Sequence, residues 1–282
     1  MRCLLALACA ASCLLAGARN AGAHHVSGHG GGAAGFYNPF STASRPPRTF
    51  LSFTFAVDSL DDSLGEVLRY QLAGEYALTR RFSLGMRIPF LSIREKFLPS
   101  SDSIGDLALS FKGLLWAKPE RRMNLSLGMG TSFPTGDEPK GLGAGTVLFS
   151  PYLNYTLGLG PVDFYTTLGS TVAAADEASP TFDFNLGFNI PLVKGEIPLH
   201  LFVAFQGSTS IRDDVFRSGS TKAYLTPGLI LYLNEHLITT LGAKVSVLDT
   251  LGVKSGVALA KTSTSLLSDV HAGFNFNVDY FF

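Results

Sequence analysis

The chain has 282 residues, of which 46% are hydrophobic, 11% aromatic and only 16% charged, and its 22 Lys+Arg balance 22 Asp+Glu. A neutral chain offers no basic face to a polyanion, so no nucleic acid is expected as a partner. All three cysteines, Cys3, Cys9 and Cys13, crowd at the start, which leaves the rest without disulfides, thiolate metal sites or cysteine nucleophiles.

Residues 1–23 read as a secretory signal peptide. Arg2 is its positive start, Cys3 to Gly17 the apolar run, and Ala21-Gly22-Ala23 a small-residue cleavage site. The run is too short for a spanning helix. Residues 24–47 are rich in Gly and His and close on Arg45-Pro46-Pro47, so they read as an irregular segment, long enough to act as a plug. After cleavage His24, His25 and His29 would join a free amine. Two readings stay open for them: a site for a divalent metal such as Cu(II), Ni(II) or Zn(II), or a leader with no dedicated metal. No cofactor is expected elsewhere.

From Thr49 onward about twelve segments alternate apolar and polar residues, the period of a strand whose side chains point to opposite faces. Residues 48–282 are therefore expected to form one domain: an all-β, transmembrane, antiparallel up-and-down barrel of about 12 strands. Leu51, Phe53, Phe55 and Val57 make the first apolar face. Leu68, Tyr70, Leu72, Tyr76 and Leu78 follow, against Arg69, Gln71, Ala73 and Glu75. Phe82, Leu84, Met86, Ile88 and Phe90 oppose Ser83 and Arg87; Leu107, Leu109, Phe111 and Leu115 oppose Asp106, Ser110 and Lys112. The cleanest segment sets Phe182, Phe184, Leu186, Phe188 and Ile190 against Asp183, Asn185, Gly187 and Asn189. Later segments carry His200, Lys222 and Lys244 on the polar face.

The last segment puts Val270, Ala272, Phe274, Phe276, Val278, Tyr280 and Phe282 on one parity, with Asp269, His271, Gly273, Asn275, Asn277 and Asp279 on the other. Phe276, Val278, Tyr280 and Phe282 resemble the C-terminal signal read by the outer-membrane barrel assembly machinery. A last strand must also pair with the first, because hydrocarbon cannot satisfy an open edge.

Connections alternate in length. Thr79 to Arg81, Lys118 to Arg122, Gly158 to Pro161, Val193 to Ile197 and Asn234 to His236 are short; Asp58 to Gly65, Pro99 to Gly105, Pro134 to Gly145, Ala173 to Pro180, Ser210 to Ser220 and Leu248 to Ser265 are longer. Outer-membrane barrels keep short turns in the periplasm and long loops outside. Gly136 to Gly145 lacks the Gly-Lys-Ser/Thr ending of a phosphate loop and is expected to be a flexible outer loop. A barrel esterase or lipase would need a converging Ser, His and carboxylate, which no spacing here supplies. Arg69, Glu75, Arg87, Lys112, Asp183, His200, Lys222, Lys244, Asp269 and His271 are the lumen-lining candidates, paired across a polar lumen or touching a small-molecule solute.

Gly105-Asp106-Leu107-Ala108-Leu109-Ser110-Phe111-Lys112, then Ser132-Phe133-Pro134-Thr135-Gly136-Asp137 and Lys140-Gly141-Leu142-Gly143, resemble a succession found in the MetA-pathway-of-phenol-degradation family of transporter-like barrels. Thr79 to Pro89 is similar to that family's second hairpin. The resemblance implies an outer-membrane barrel that passes small, often aromatic, compounds. It carries over no catalytic residue and no specific solute. A non-conducting structural or metal-binding barrel is the alternative.

Overall fold

The computed structural model of the chain describes residues 46–60, 65–95, 100–140, 142–174, 180–210, 221–250 and 270–282. The signal segment, His24, His25, His29 and Asp269 lie outside these residues, as do the side chains of Lys222 and His271. The strands are β1 (Phe50–Leu60), β2 (Gly65–Ala77), β3 (Phe82–Glu95), β4 (Ser101–Ile104), β5 (Leu107–Lys118), β6 (Met123–Phe133), β7 (Leu148–Leu159), β8 (Val162–Ala173), β9 (Thr181–Val193), β10 (Leu199–Ser210), β11 (Thr221–Tyr232), β12 (Leu237–Thr250) and β13 (Val270–Phe281). All pairings are antiparallel and join sequence neighbours, except that β4 and β5 both pair with β3 and β1 pairs with β13. Closure comes from β1, where Phe50 stands opposite both Glu75 of β2 and Phe281 of β13. Among the described residues the ring of strands thus closes on itself, as a hydrocarbon surrounding requires.

Among the described residues thirteen strands make twelve staves. β4 pairs with one half of β3 (Phe90↔Ile104, Ile93↔Ser101) and β5 with the other (Phe82↔Gly113, Arg87↔Ala108). Between them the Gly105 N–H donates to the Pro89 carbonyl at 2.8 Å, so the stave continues through a break at Gly105-Asp106.

The apolar parity faces outward. Leu72, Leu84, Met129, Phe188 and Phe274 are each 43–49% exposed, while Gln71, Ser83, Ser126, Asn189 and Asn275 beside them are buried. A water-soluble chain does not present such a continuous belt; a lipid-facing barrel requires it. Phe82 stacks on Phe111 outside, with ring centroids 5.7 Å apart, and Phe55 lies 5.1 Å from Tyr70. Tyr76, Trp116 and Tyr280 sit near strand ends at the level of the short turns, where interfacial aromatics belong. In β5 a bulge between Leu114 and Trp116 lets Leu115 and Trp116 both face out, although they are adjacent in sequence.

The short turns all lie at the end that holds Phe50 and Phe281. Three expected loop boundaries move inward, because strand pairing continues further than hydrophobic alternation does. Asp58, expected in a loop, is inside β1 and opposite Val67; β4 occupies part of the stretch from Pro99 to Gly105; and β12 runs on to Thr250. Among the described residues no helix is long and apolar enough to cross a membrane.

Candidate functional site: the lumen wall and its inward loop

Among the described side chains, Arg69, Glu75, Arg87, Lys112, Asp183 and Lys244 share the inward parity, and most of them meet a charged partner there. Lys112 on β5 reaches across β3 to Glu75 on β2, with Nζ 2.8 and 2.9 Å from the two carboxylate oxygens and both side chains 4% exposed. Nearer the long-loop end, Asp58 stands between two cations, 2.9 Å from Lys244 Nζ and 3.8 Å from Arg69. Lys244 also lies 4.9 Å above the Tyr224 ring, a cation–π contact. Arg87 is buried beside Asp106 and Arg69. Two unlike charges buried together compensate each other's desolvation, which is why these residues tolerate the wall.

Asp183 is held by hydroxyl groups among the described residues. Its carboxylate accepts from Thr171 Oγ1 at 2.8 Å and from Thr181, with Ser208 adding a third hydroxyl. His200 Nδ1 is 2.9 Å from Asn189 Oδ1 and its ring is 4.8 Å from Tyr232. Asn277 Oδ1 accepts from both Ser52 and Thr54 across the β1–β13 seam, at 2.9 and 2.6 Å. Phe276, Val278, Tyr280 and Phe282 take the outward parity of the last strand. Among the described residues no three His, Cys, Asp or Glu side chains come together to hold a metal ion.

The wall is not polar throughout. Phe50, Tyr165, Phe202, Ile230, Ile238 and Phe281 point inward and pack together at the short-turn end. Tyr152 and Tyr165 lie flat on glycines of the facing strand: a Cβ on Gly128 would land on the Tyr152 ring, and one on Gly187 on the Tyr165 ring. Alternation alone does not find these aromatics, because it marks which positions face in without saying what fills them. The signal that could have found them is the cross-strand pairing of an inward aromatic with an inward glycine.

The connection from β6 to β7 corrects a second expectation. It does not stand out as a flexible loop. Asp106, at the break in the β4–β5 stave, accepts from the Gly136 N–H at 3.0 Å and from the Ala144 N–H at 2.7 Å, so one buried carboxylate grips both limbs. Thr135 Oγ1 accepts from Leu107 N–H at 2.8 Å and donates to the Gly105 carbonyl at 3.0 Å. Leu142 N–H donates to the Asp137 carbonyl at 2.9 Å, closing a tight turn. Lys140 Nζ, 2.6 Å from Asp137, holds that carboxyl below its usual range through a hydrogen bond and its charge. Gly136 and Gly143 approach so closely that a Cβ on either would strike the opposite limb. The result is that Leu142 is 1% exposed and packs with the inward Val67, Leu91, Ile93 and Tyr224. Val67 is on β2 and Tyr224 on β11, with β1, β13 and β12 between them around the barrel.

The family model for the MetA-pathway of phenol degradation matches residues 65–247, from the start of β2 to near the end of β12. The chain belongs to that family. Among solved structures the family member is similar to an outer membrane channel from Pseudomonas putida F1, at 13% identity and TM-score 0.64, covering 87% of this chain and 99% of that one. It is also similar to the KdgM porin in complex with disordered oligogalacturonate, at 9% identity and TM-score 0.50, covering 82% of this chain and 99% of that one. No curated protein matches the sequence. At such identities the likeness is one of fold. That fold, closed and belted with apolar side chains, is an outer-membrane barrel, which places this family member in the outer membrane of a Gram-negative cell, in contact with its lipid.

Proposed function

We propose that the protein is a passive channel for small molecules rather than an enzyme, with the short turns in the periplasm and the long connections outside. The observation that carries this reading is the inner wall: its charges are compensated in place, while an inward loop narrows the lumen at one level. Ser83, Ser126, Ser132 and Thr167 add buried hydroxyls with no protein partner among the described residues, which water or a polar solute would satisfy. Small hydrophobic or aromatic compounds suit the apolar stretches between these groups. The His-rich leader remains a candidate plug or divalent-metal ligand.

Purified protein in planar lipid bilayers tests the reading. Discrete current steps are expected. A correctly folded, heat-modifiable barrel that passes no current would show a non-conducting structural barrel instead.

A further inference from the structure

We infer that a notch beneath the β2–β3 turn binds the phosphate headgroup of an anionic phospholipid of the inner leaflet, with Arg80, Arg81 and Lys118 as its cations and Trp116 at its wall. The inference rests on the orientation proposed above, with the short turns in the periplasm, and not on conduction.

The notch follows from register. β3 and β5 stay paired as far as Phe82↔Gly113, and the Leu114 N–H donates to the Arg81 carbonyl at 2.7 Å. There β3 gives way to its turn, while β5 runs on beside β6, with Trp116 opposite Leu125 and Lys118 opposite Met123. Among the described residues no strand pairs with the other edge of residues 115–118. Hydrocarbon does not tolerate unpaired backbone, so this edge belongs at headgroup depth, where phosphate and water can meet it.

Charge selects the occupant. Arg80, Arg81, Lys118 and Arg121 are exposed, and Glu120 is the one acid in their two turns. Arg122 is held by Asp163 at 3.1 Å. The arc from β9 to β12 has no such excess at this end: Lys194 shares its turn with Glu196, and the next turn carries Glu235 beside His236. The notch also opens onto the apolar belt, where Leu78, Phe82 and Leu115 are 52%, 45% and 56% exposed. An amphiphile can lay acyl chains on that belt and keep its phosphate among the cations; a soluble anion gains only the second contact. Lys118 Nζ lies 5.3 Å from the centre of the Trp116 ring, which sets indole and ammonium at one depth, as at a bilayer interface.

Trp116 is the chain's single tryptophan, so its fluorescence reports on this notch alone. The full barrel is folded into phosphatidylcholine vesicles containing either brominated phosphatidylglycerol or, in parallel, brominated phosphatidylcholine, whose bromines quench an indole at short range. The parent is expected to be quenched more by the anionic lipid. Arg80→Gln, Arg81→Gln and Lys118→Gln should each weaken that preference about fivefold, and the triple variant should lose it. Lys194→Gln, on the other arc, should keep it. Heat-modifiable migration confirms that each variant is folded; all four residues are exposed. Equal quenching of the parent by both lipids, or an unchanged preference in the triple variant, overturns the site. If inorganic phosphate removes the preference and chloride at equal ionic strength does not, the ligand is a soluble anion and the lipid is overturned. Orientation is read separately with Asn234→Cys in a short turn. In intact cells it is expected to escape a maleimide carried on a polymer too large for the outer membrane, and to react once the cells are permeabilised. Labelling of intact cells would put the short turns outside and overturn the inner-leaflet source, even with the preference in vesicles intact.

Discussion

The two faces of β9 lie on the same backbone and obey different rules. Outside, Phe182, Phe184, Leu186, Phe188 and Ile190 are interchangeable in kind, because lipid is a single solvent that asks one thing of every position. Inside, Asp183 collects hydroxyls, Gly187 makes room for the Tyr165 ring, and Asn189 meets His200. Each inward residue answers to its own neighbour across the wall. The outside is therefore a pattern and the inside a set of local agreements, and the two should break differently.

The largest effect is expected inside, where a charge loses its partner. Lys112→Met leaves Glu75 buried and unpaired, and should cost roughly 3–5 kcal/mol of barrel stability, read from urea unfolding in lipid vesicles. A cost under half of that would mean the wall is wetter than its burial implies. Next comes the outside. Leu186→Arg, near the middle of β9, is expected to cost roughly 2–4 kcal/mol by the same assay, and inward Asn185→Arg much less. Equal costs would reverse the facing assigned here.

Steric agreement ranks third. Gly187→Val drives branched carbons into the Tyr165 ring and should cost about 1–3 kcal/mol; adding Tyr165→Ala to it should recover part of that loss. No recovery would show that the ring is not what the glycine accommodates. Asp106→Ala removes the acceptor from both loop limbs and is expected to expose residues 134–147 to protease while the barrel keeps its heat-modifiable migration. Unchanged cleavage would mean that packing of Leu142 holds the loop without the clamp. The smallest effect is expected of the exposed pair near the long-loop end. Glu66 and Arg94 stand 3.4 Å apart but are 44% and 60% exposed, so Arg94→Ala should change stability by less than about 1 kcal/mol.

Much of this fold is legible before any coordinates. The alternation in residues 182–190 and 274–282 names the outward face residue by residue, and the short connections mark one end of the barrel. The charged lumen candidates can be named too, since a Lys or Glu at an inward parity has nowhere else to go. Their partners are a different matter. Glu75 and Lys112 are separated by a whole intervening strand, and Asp58 reads as loop because the alternation stops just before it.

The sequence by itself determined the class, the membrane-facing side and the approximate number of staves, because a period of two residues is a local property that lipid enforces at every strand. Only the tertiary structure decided that Asp58 serves Lys244 and Arg69, that Tyr165 lies on Gly187, and that the stretch after Pro134 turns inward to bring Leu142 against Val67 and Tyr224. Those facts depend on barrel closure, which brings together residues far apart in the chain, and a glycine-rich stretch carries no periodicity to say which way it folds.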